Sequence, residues 1–413
     1  MDNARSVTEH RAVVAALVPT TPVEERPLGA ALGLVLAEDL HTRLALPPFD
    51  NSAMDGYAVR AGDVAGASPG NPVRLPVAQD IPAGLLEVAP LRPGTAHRIM
   101  TGAPMPDGAD SVVKVEDTDG ATDTVRIDTA PTEGDHVRRA GEDVIGGSLV
   151  LAAGALLTPA RLGLAAAVGA PTVRVHRPPR VLVLSTGSEL VAPGRPLRYG
   201  QIYESNGTML AAAVTEAGGV AEQLHFVPDD VGQFLDVLRR RVADAGTPVD
   251  LLLTSGGVSA GAYEVVKDAL ADRGVRFVRV AMQPGGPQGA GRIDGLGAPG
   301  DGLAAVTLPG NPVSSQVSFE VFVRPALRAA MGHPEPERPV LRARLGESLR
   351  SPLGKRQFRR GVWEAETGTV RSVGGPGSHL LSALARSDCL IVLPENMEEH
   401  PAGTEAEVML LNR

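Results

Sequence analysis

The sequence predicts a multidomain α/β protein. Its centre is a three-layer α/β domain with a parallel sheet; a helical unit, a β-rich unit inserted into that helical unit, and a small all-β unit at the end of the chain complete it. Three observations carry this prediction. The 413 residues exceed one ordinary domain of roughly 150 residues and suggest about three. From Arg180 to Ala330 apolar runs alternate with amphipathic helical patterns, the mark of parallel strands covered by helices. Elsewhere short β-rich runs are broken by turn residues, in a chain holding 48 Gly and 35 Pro.

In chain order, Ser6-Val7-Thr8-Glu9 reads as a capping box opening a helix that ends before Pro19. A second helical pattern covers Leu28 to Leu40, and Pro47-Pro48 breaks the chain. From 47 to 145 short runs (Val73–Val77, Ser111–Val115, Thr124–Ile127) alternate with Gly, Pro and Asp. Thr158 as N-cap, Pro159 at the first helical position and Gly169 at the end bracket another helix. Helices on both sides of the β segment give a helical unit (1–46 and 146–178) with a β-rich unit (47–145) inserted. The α/β unit (179–332) follows Pro178-Pro179. Its strands are expected at Val181–Leu184, Val220–Phe226, Leu251–Leu253 and Leu303–Leu308. Its helices are expected at Asn206–Gly218, Val231–Ala245, Glu264–Arg273 and Val313–Ala330. After Pro334-Glu335-Pro336 the pattern is strand-like to the end (333–413), with a hairpin signal at Thr367-Gly368.

Composition excludes several functions. Seven Phe, four Tyr and one Trp are too few for a base-stacking surface, and a net charge of -9 argues against a phosphate-backbone binder, so no nucleic-acid partner is expected. The single Cys389 lies in an apolar run. It excludes internal disulfides and thiolate zinc sites and reads as a buried structural thiol. Residues 1–10 lack a signal-peptide pattern, and Leu162–Val168 is too short to span a bilayer. A cytoplasmic protein without membrane contact is expected.

Three strand-to-helix junctions are rich in small residues: Ser185-Thr186-Gly187-Ser188-Glu189, Ser255-Gly256-Gly257-Val258-Ser259-Ala260-Gly261 and Pro309-Gly310-Asn311-Pro312-Val313-Ser314. In a parallel sheet all three fall at the carboxyl edge, where ligands bind. Gly admits close approach of a ligand, and helix N-termini favour anions. None is a P-loop or a dinucleotide fingerprint. Asp55, Asp143, Glu189, Asp229, Asp230 and Glu264 supply hard oxygens. Beside a phosphate these suggest Mg²⁺, although each alone also reads as a turn or helix cap. The small apolar flanks of Asp55 predict a buried loop.

Pro48-Phe49-Asp50-Asn51-Ser52-Ala53-Met54-Asp55-Gly56-Tyr57-Ala58-Val59 resembles the signature of the molybdopterin molybdotransferase family, the family of MoeA and the gephyrin E domain. So do Ile99-Met100-Thr101-Gly102-Ala103, Arg139-Ala140-Gly141-Glu142-Asp143 and the three junctions above, in family order over nearly the whole chain. The resemblance implies four domains, the last a small β-barrel-like one, in an elongated homodimer. The active cleft would lie between the α/β domain of one subunit and the inserted β domain of the other. The implied reaction takes adenylated molybdopterin and molybdate to molybdenum cofactor, releasing AMP with Mg²⁺. The molybdopterin adenylyltransferase is a candidate partner.

By the same resemblance Asp55, Thr101, Asp143, Glu189 and Asp229 match functional positions. Glu264 is the acid left where the family often has two, and Asp55, Asp143, Glu189 and Glu264 are the candidate metal ligands. Ser255, Gly256, Gly257, Ser259, Pro309, Gly310, Asn311, Pro312 and Ser314 fall in the pterin-phosphate region, with Ser378 as a further substrate contact. Where the family often has Lys-Pro-Gly-Lys-Pro, this chain has Gln283-Pro284-Gly285-Gly286-Pro287. Arg279, read as sharing a strand face with Gln283, or Arg360 is expected to supply the missing charge, with Gln283 donating a neutral hydrogen bond; Arg356 is a further candidate. Two rivals stand beside this reading. A non-catalytic scaffold has no need of Asp55 or Glu189, and an adenylyltransferase has no need of residues 1–178 and 339–413.

Overall fold

The computed structural model describes residues 4–187, 189–224, 230–244, 248–257, 265–297 and 302–411. The capping box forms as its spacing requires. The Ser6 hydroxyl oxygen accepts from the Glu9 N–H at 3.1 Å, and the Glu9 carboxylate accepts from the Ser6 N–H at 2.8 Å. The helix Val7–Leu17 that follows buries Val7 and Val14 in the core of the α/β unit, where the His10 ring meets Phe322 edge-on.

The expected helix from Leu28 to Leu40 does not form. A single 3-10 turn, Leu28–Ala30, gives way to extended chain in which Val35 bridges Leu156 and Leu36 bridges Val175. Ala31 and Leu36 bury against Leu151, Leu157, Val173 and Val175, and this burial overrides the helical spacing. Val23–Pro27 pairs antiparallel with Thr172–His176 in the same unit. The helix Pro159–Ala167 starts on its Thr158 cap, whose hydroxyl accepts from the Arg161 N–H.

The inserted unit is a five-stranded sheet in the order Ser111–Lys114, Gly56–Val59, Ala96–Ile99, Val73–Ile81, Thr124–Ile127. Gly56 is obligatory there, because a Cβ at that position would lie 2.0 Å from the Val113 carbonyl oxygen. Asp55 is thereby placed on a turn at the end of a central strand.

The α/β sheet has six strands: Val220–Leu224, Arg180–Ser185, Leu251–Ser255, Leu303–Leu308, Pro287–Ile293 and Val275–Arg279. The first four are parallel, and Pro287–Ile293 runs antiparallel to both of its neighbours. This departs from the all-parallel expectation for a connectivity reason. Only a short link over 280–286 joins Val275–Arg279 to Pro287–Ile293, and such a link reverses the chain, whereas a parallel return needs a crossover. Gly289 and Gly291 let Pro287–Ile293 lie close against its neighbours. Cβ atoms there would sit 2.1 Å from the Thr307 hydroxyl and 2.1 Å from the Gly274 carbonyl oxygen.

The C-terminal unit closes on itself. Arg356–Glu364, Thr369–Ser372, Val340–Leu345, Glu405–Leu410 and Cys389–Leu393 pair in turn, and the last returns to the first. The hairpin at Thr367-Gly368 forms, with Gly368 at φ 64°. Cys389 is fully buried in this barrel, and burial pushes its thiol pKa up.

Candidate active site

The carboxyl edge of the parallel strands opens into a cleft of about 1090 Å³. Ser185–Gly187 and Glu189 form one wall, Ser255–Gly257 the floor, and Pro309–Pro312 with Ser314 the next βα loop. Two further segments complete it: Gln283–Gly285 with Pro287, and Pro376–His379 from the C-terminal unit. Chain segments far apart in sequence thus converge because parallel strands all end on one edge.

Ser255 is the hub of the floor. Its hydroxyl oxygen accepts from the Asn206 amide at 2.7 Å and lies 3.2 Å from the Ser315 hydroxyl. The same Asn206 NH₂ donates to the Gly310 carbonyl at 2.7 Å, so one side chain ties three loops. Its Oδ1 is buried without a protein partner among the described residues. Gly256 has φ 95°, and a Cβ there would meet the Thr186 carbonyl oxygen at 2.8 Å, so only Gly fits. Glu189 is exposed on the cleft wall and folds back toward Gly187, where a Cβ would lie 2.7 Å from both its carboxylate oxygens. Glu204 is buried beside it and accepts from the Gly207 N–H and the Gln223 amide. Ser378 is held in the cleft by the Asn311 amide, which donates to its hydroxyl at 2.9 Å, and by the Val313 N–H, which donates to its carbonyl at 3.1 Å.

Of the expected site residues, Glu189, Ser255, Gly256, Gly257, Pro309, Gly310, Asn311, Pro312, Ser314 and Ser378 share this cleft. Asp229, Ser259 and Glu264 lie outside the described residues. Asp55, Thr101 and Asp143 sit on the inserted sheet and its return, and none lines the cleft. Asp55 is exposed, not buried as its flanks suggested; the small apolar neighbours pack the strand that follows while the carboxylate points outward. It accepts from the Thr101 N–H at 2.7 Å and the Thr101 hydroxyl at 2.9 Å, and these two bonds, the backbone one foremost, lower its pKa. Asp143 is exposed, its N–H donating to the Leu46 carbonyl.

The expected replacement cations are elsewhere. Arg279 ends one strand of the α/β sheet, whereas Gln283 pairs with Gln357 in a separate ladder, so the two share no strand face. Arg356 pairs with Glu395. Arg360 is 2% exposed and spends its guanidinium on the Gly377 carbonyl, at 3.0 Å, and the Gly375 carbonyl. It shapes the loop that carries Ser378. Among the described lining residues none is Lys or Arg. Asn206 and Glu204 were missed, although Glu204-Ser205-Asn206-Gly207 is a polar cluster heading an apolar helix and could have marked them.

Three family models match the chain in series: MoeA N-terminal region (domain I and II) over residues 5–169, probable molybdopterin binding domain over 182–329, and MoeA C-terminal region (domain IV) over 342–411. The chain is 55% identical over 411 residues to molybdopterin molybdenumtransferase 2 of Mycobacterium tuberculosis, covering 98% of this chain and 99% of that one. It is 35% identical over 407 residues to molybdopterin molybdenumtransferase of Haemophilus influenzae, covering 95% of each. The crystal structure of a molybdopterin biosynthesis moea protein from Pyrococcus horikosii is similar with a TM-score of 0.81 at 32% identity, over 99% of both chains.

Proposed function

Because this chain belongs to the MoeA family of molybdopterin molybdenumtransferases, enzymes of molybdenum cofactor biosynthesis, we propose that it inserts molybdate into adenylated molybdopterin and releases AMP, with Mg²⁺. The observation that carries this reading is the convergence of three βα loops and the Ser378 loop on one cleft with Glu189 at its wall. The loops 255–257 and 309–314 seat the pterin phosphate through backbone N–H groups and the hydroxyls of Ser255 and Ser314.

Mg²⁺ takes one or two carboxylates and completes its shell with phosphate oxygens and water. Glu189, exposed on the wall, fits as one such ligand. Among the described residues no group of three or more His, Cys, Asp or Glu could hold a metal ion within one chain. When bound, Mg²⁺ supplies charge neutralisation to the phosphoanhydride and to departing AMP. Asp55 and Asp143 lie outside the cleft of their own chain, and we assign them to the cleft of a second copy, which makes the working unit a homodimer. The division into units at 1–46 with 146–178, 47–145, 179–332 and 333–413 follows that scheme. An adenylyltransferase must supply the activated pterin, and the reaction belongs in the cytoplasm. No helix among the described residues is long and apolar enough to cross a membrane.

The test is AMP release from adenylated molybdopterin, measured with and without molybdate and Mg²⁺. Release that depends on both is expected. Release indifferent to molybdate would overturn the transferase reading, and no release above background would return the chain to the scaffold reading.

A further inference from the structure

The cleft that must hold an oxyanion has no Lys or Arg among its described lining residues, yet one neutral group in it has its polarity forced by a cation behind the wall. Gln283 lines the cleft and sits opposite Gln357 in a two-residue parallel ladder that joins the α/β unit to the barrel. Gln357 is 3% exposed. Its Oε1 accepts from Arg359 Nε at 3.2 Å and Nη2 at 2.9 Å, and its Nε2 donates to Gln283 Oε1 at 2.6 Å. Arg359 Nη2 also donates to the Arg350 carbonyl at 2.9 Å, which fixes the guanidinium.

Amide orientation is ordinarily ambiguous, because O and N differ little in shape. Here it is not. A guanidinium has five donors and no acceptor, so the atom of Gln357 that faces Arg359 must be oxygen. The other atom of Gln357 is then NH₂, a donor, so the atom of Gln283 that meets it must be oxygen. What remains of Gln283 is its NH₂, for which the described residues provide no partner. A reversed Gln283 would set its own NH₂ against Gln357, which pairs only if Gln357 reversed too, and that would place NH₂ against the N–H groups of Arg359.

We propose that Gln283 Nε2 is a fixed hydrogen-bond donor to an oxyanion oxygen in the cleft, and that Arg359 is the positioning residue that sets its polarity through Gln357. The inference rests on the transferase reading for the identity of the anion, which is either molybdate or the phosphate of the pterin substrate. The chemistry recognised is the same: an oxygen that accepts and does not donate. Arg359 stays behind the wall and does not touch the anion, so this is an amide aimed by a cation, in place of a cation in the site.

The decisive variant is Gln357→Glu, which keeps the volume and strengthens the pairing with Arg359. A carboxylate cannot donate to Gln283 Oε1, so Gln283 must turn its own NH₂ toward residue 357 and show oxygen to the cleft. Dissociation constants for molybdate and for inorganic phosphate are measured by equilibrium dialysis, and half-saturating molybdate and adenylated molybdopterin by AMP release. Gln357→Glu is expected to weaken one anion by about tenfold or more, the loss of a hydrogen bond to a charged group. The anion whose constants move is the one at Gln283. In a Gln283→Leu background, weakened already, Gln357→Glu should add nothing, because the cycle then has no shared partner left. Arg359→Leu should weaken the same anion and Arg359→Lys should recover most of it, since a lysine also only donates.

The proposal is overturned if Gln357→Glu leaves both anions within about twofold of wild type, or if its full effect persists with Gln283→Leu, which would make it plain charge repulsion. If wild type binds an anion in a Gln283-dependent way but releases no AMP, the transferase reading fails and the donor stands. If AMP release is molybdate-dependent and these variants are silent, the donor fails alone.

Discussion

Asn206→Asp is close to isosteric and reverses a single donor. In wild type one NH₂ donates at 2.7 Å both to the Ser255 hydroxyl oxygen and to the Gly310 carbonyl oxygen. A carboxylate can still accept from the Ser255 hydroxyl, but against the Gly310 carbonyl it sets acceptor on acceptor at hydrogen-bond distance. Each neutral hydrogen bond contributes about 1 kcal/mol net, and the group left unsatisfied adds its own desolvation cost. One term opposes the loss. Residue 206 opens the helix Asn206–Glu216, where a carboxylate gains about 0.3–1 kcal/mol from the helix dipole. The lost bonds outweigh it, and we expect a net loss of about 2 kcal/mol by urea unfolding. The three loops tied by Asn206 also form the cleft floor, so half-saturating adenylated molybdopterin should rise by about tenfold in AMP release. Asn206→Ala should lose both bonds but set no acceptor against the Gly310 carbonyl, and fall between Asp and wild type in substrate affinity. If Asn206→Asp unfolds within about 0.5 kcal/mol of wild type with unchanged half-saturation, the tie is decorative and the account of the floor is wrong.

Asp55→Ala and Glu189→Ala should each abolish turnover while leaving the unfolding transition in place. Mixing the two inactive proteins after dissociation should restore roughly a quarter of wild-type activity, since half of random dimers are mixed and each has one intact shared site; no recovery would contradict a cleft shared between subunits. Gly289→Ala forces a methyl toward the Thr307 hydroxyl at 2.1 Å and the Phe277 ring at 2.9 Å, and should cost about 1–3 kcal/mol by denaturant titration. His10 and His333 are buried, and burial foremost, then nearby arginines, pushes both imidazoles down to about 4. Their neutral forms are favoured in the fold, so stability is complete above the unfolded value of about 6.5 and declines as pH falls from there to about 4, levelling below. Urea midpoints across that range should drop on acidification, with a shallower slope for His10→Leu.

Local chemistry was legible where a few adjacent residues decide it. Ser6 with Glu9, Thr158 with Pro159, and the largely apolar Leu303–Leu308 each specify their element without help from distant chain. The three small-residue junctions were legible for the same reason, because a strand end followed by Gly and Pro has few uses. The segment Leu28 to Leu40 was not, since its apolar spacing fits a helix while its partners Leu156 and Val175 lie over a hundred residues away. Asp55 was misjudged because flanking residues report on the burial of the strand, not on which way one side chain leaves it. The shared face of Arg279 and Gln283 was misjudged, because sequence proximity placed them together while tertiary structure sends them to different strands, and the closure of Arg360 on two carbonyls has no local signature. The Arg359–Gln357–Gln283 chain has no signature in sequence, because it depends on the register between two units.

That register bears on what the barrel is for. It is not an appendage hung from the α/β unit. Phe358, Leu384, Leu390 and Met409 lie in the same apolar core as the helix Val7–Leu17 and the inner strands of the sheet. The strap after Pro336 is pinned by Arg338, whose Nε donates to Glu320 at 2.8 Å with both side chains 2% exposed. Glu320 sits in a widened turn, Phe319–Val323, of the helix that begins at the cleft; such turns re-aim side chains at the cost of regular helix bonding. Removing one partner of a buried pair leaves an uncompensated charge and costs about 3–5 kcal/mol, so the strap is held firmly where it meets that helix. From there the barrel contributes two things to the cleft, the Ser378 loop and the residues that aim Gln283. A wall built this way is rigid by construction, because moving it would break a shared core, a buried ion pair and a ladder at once. The lone α/β unit has the three loops but neither the fourth wall nor the aimed amide, which is a physical reason for the chain to carry the extra residues after 339.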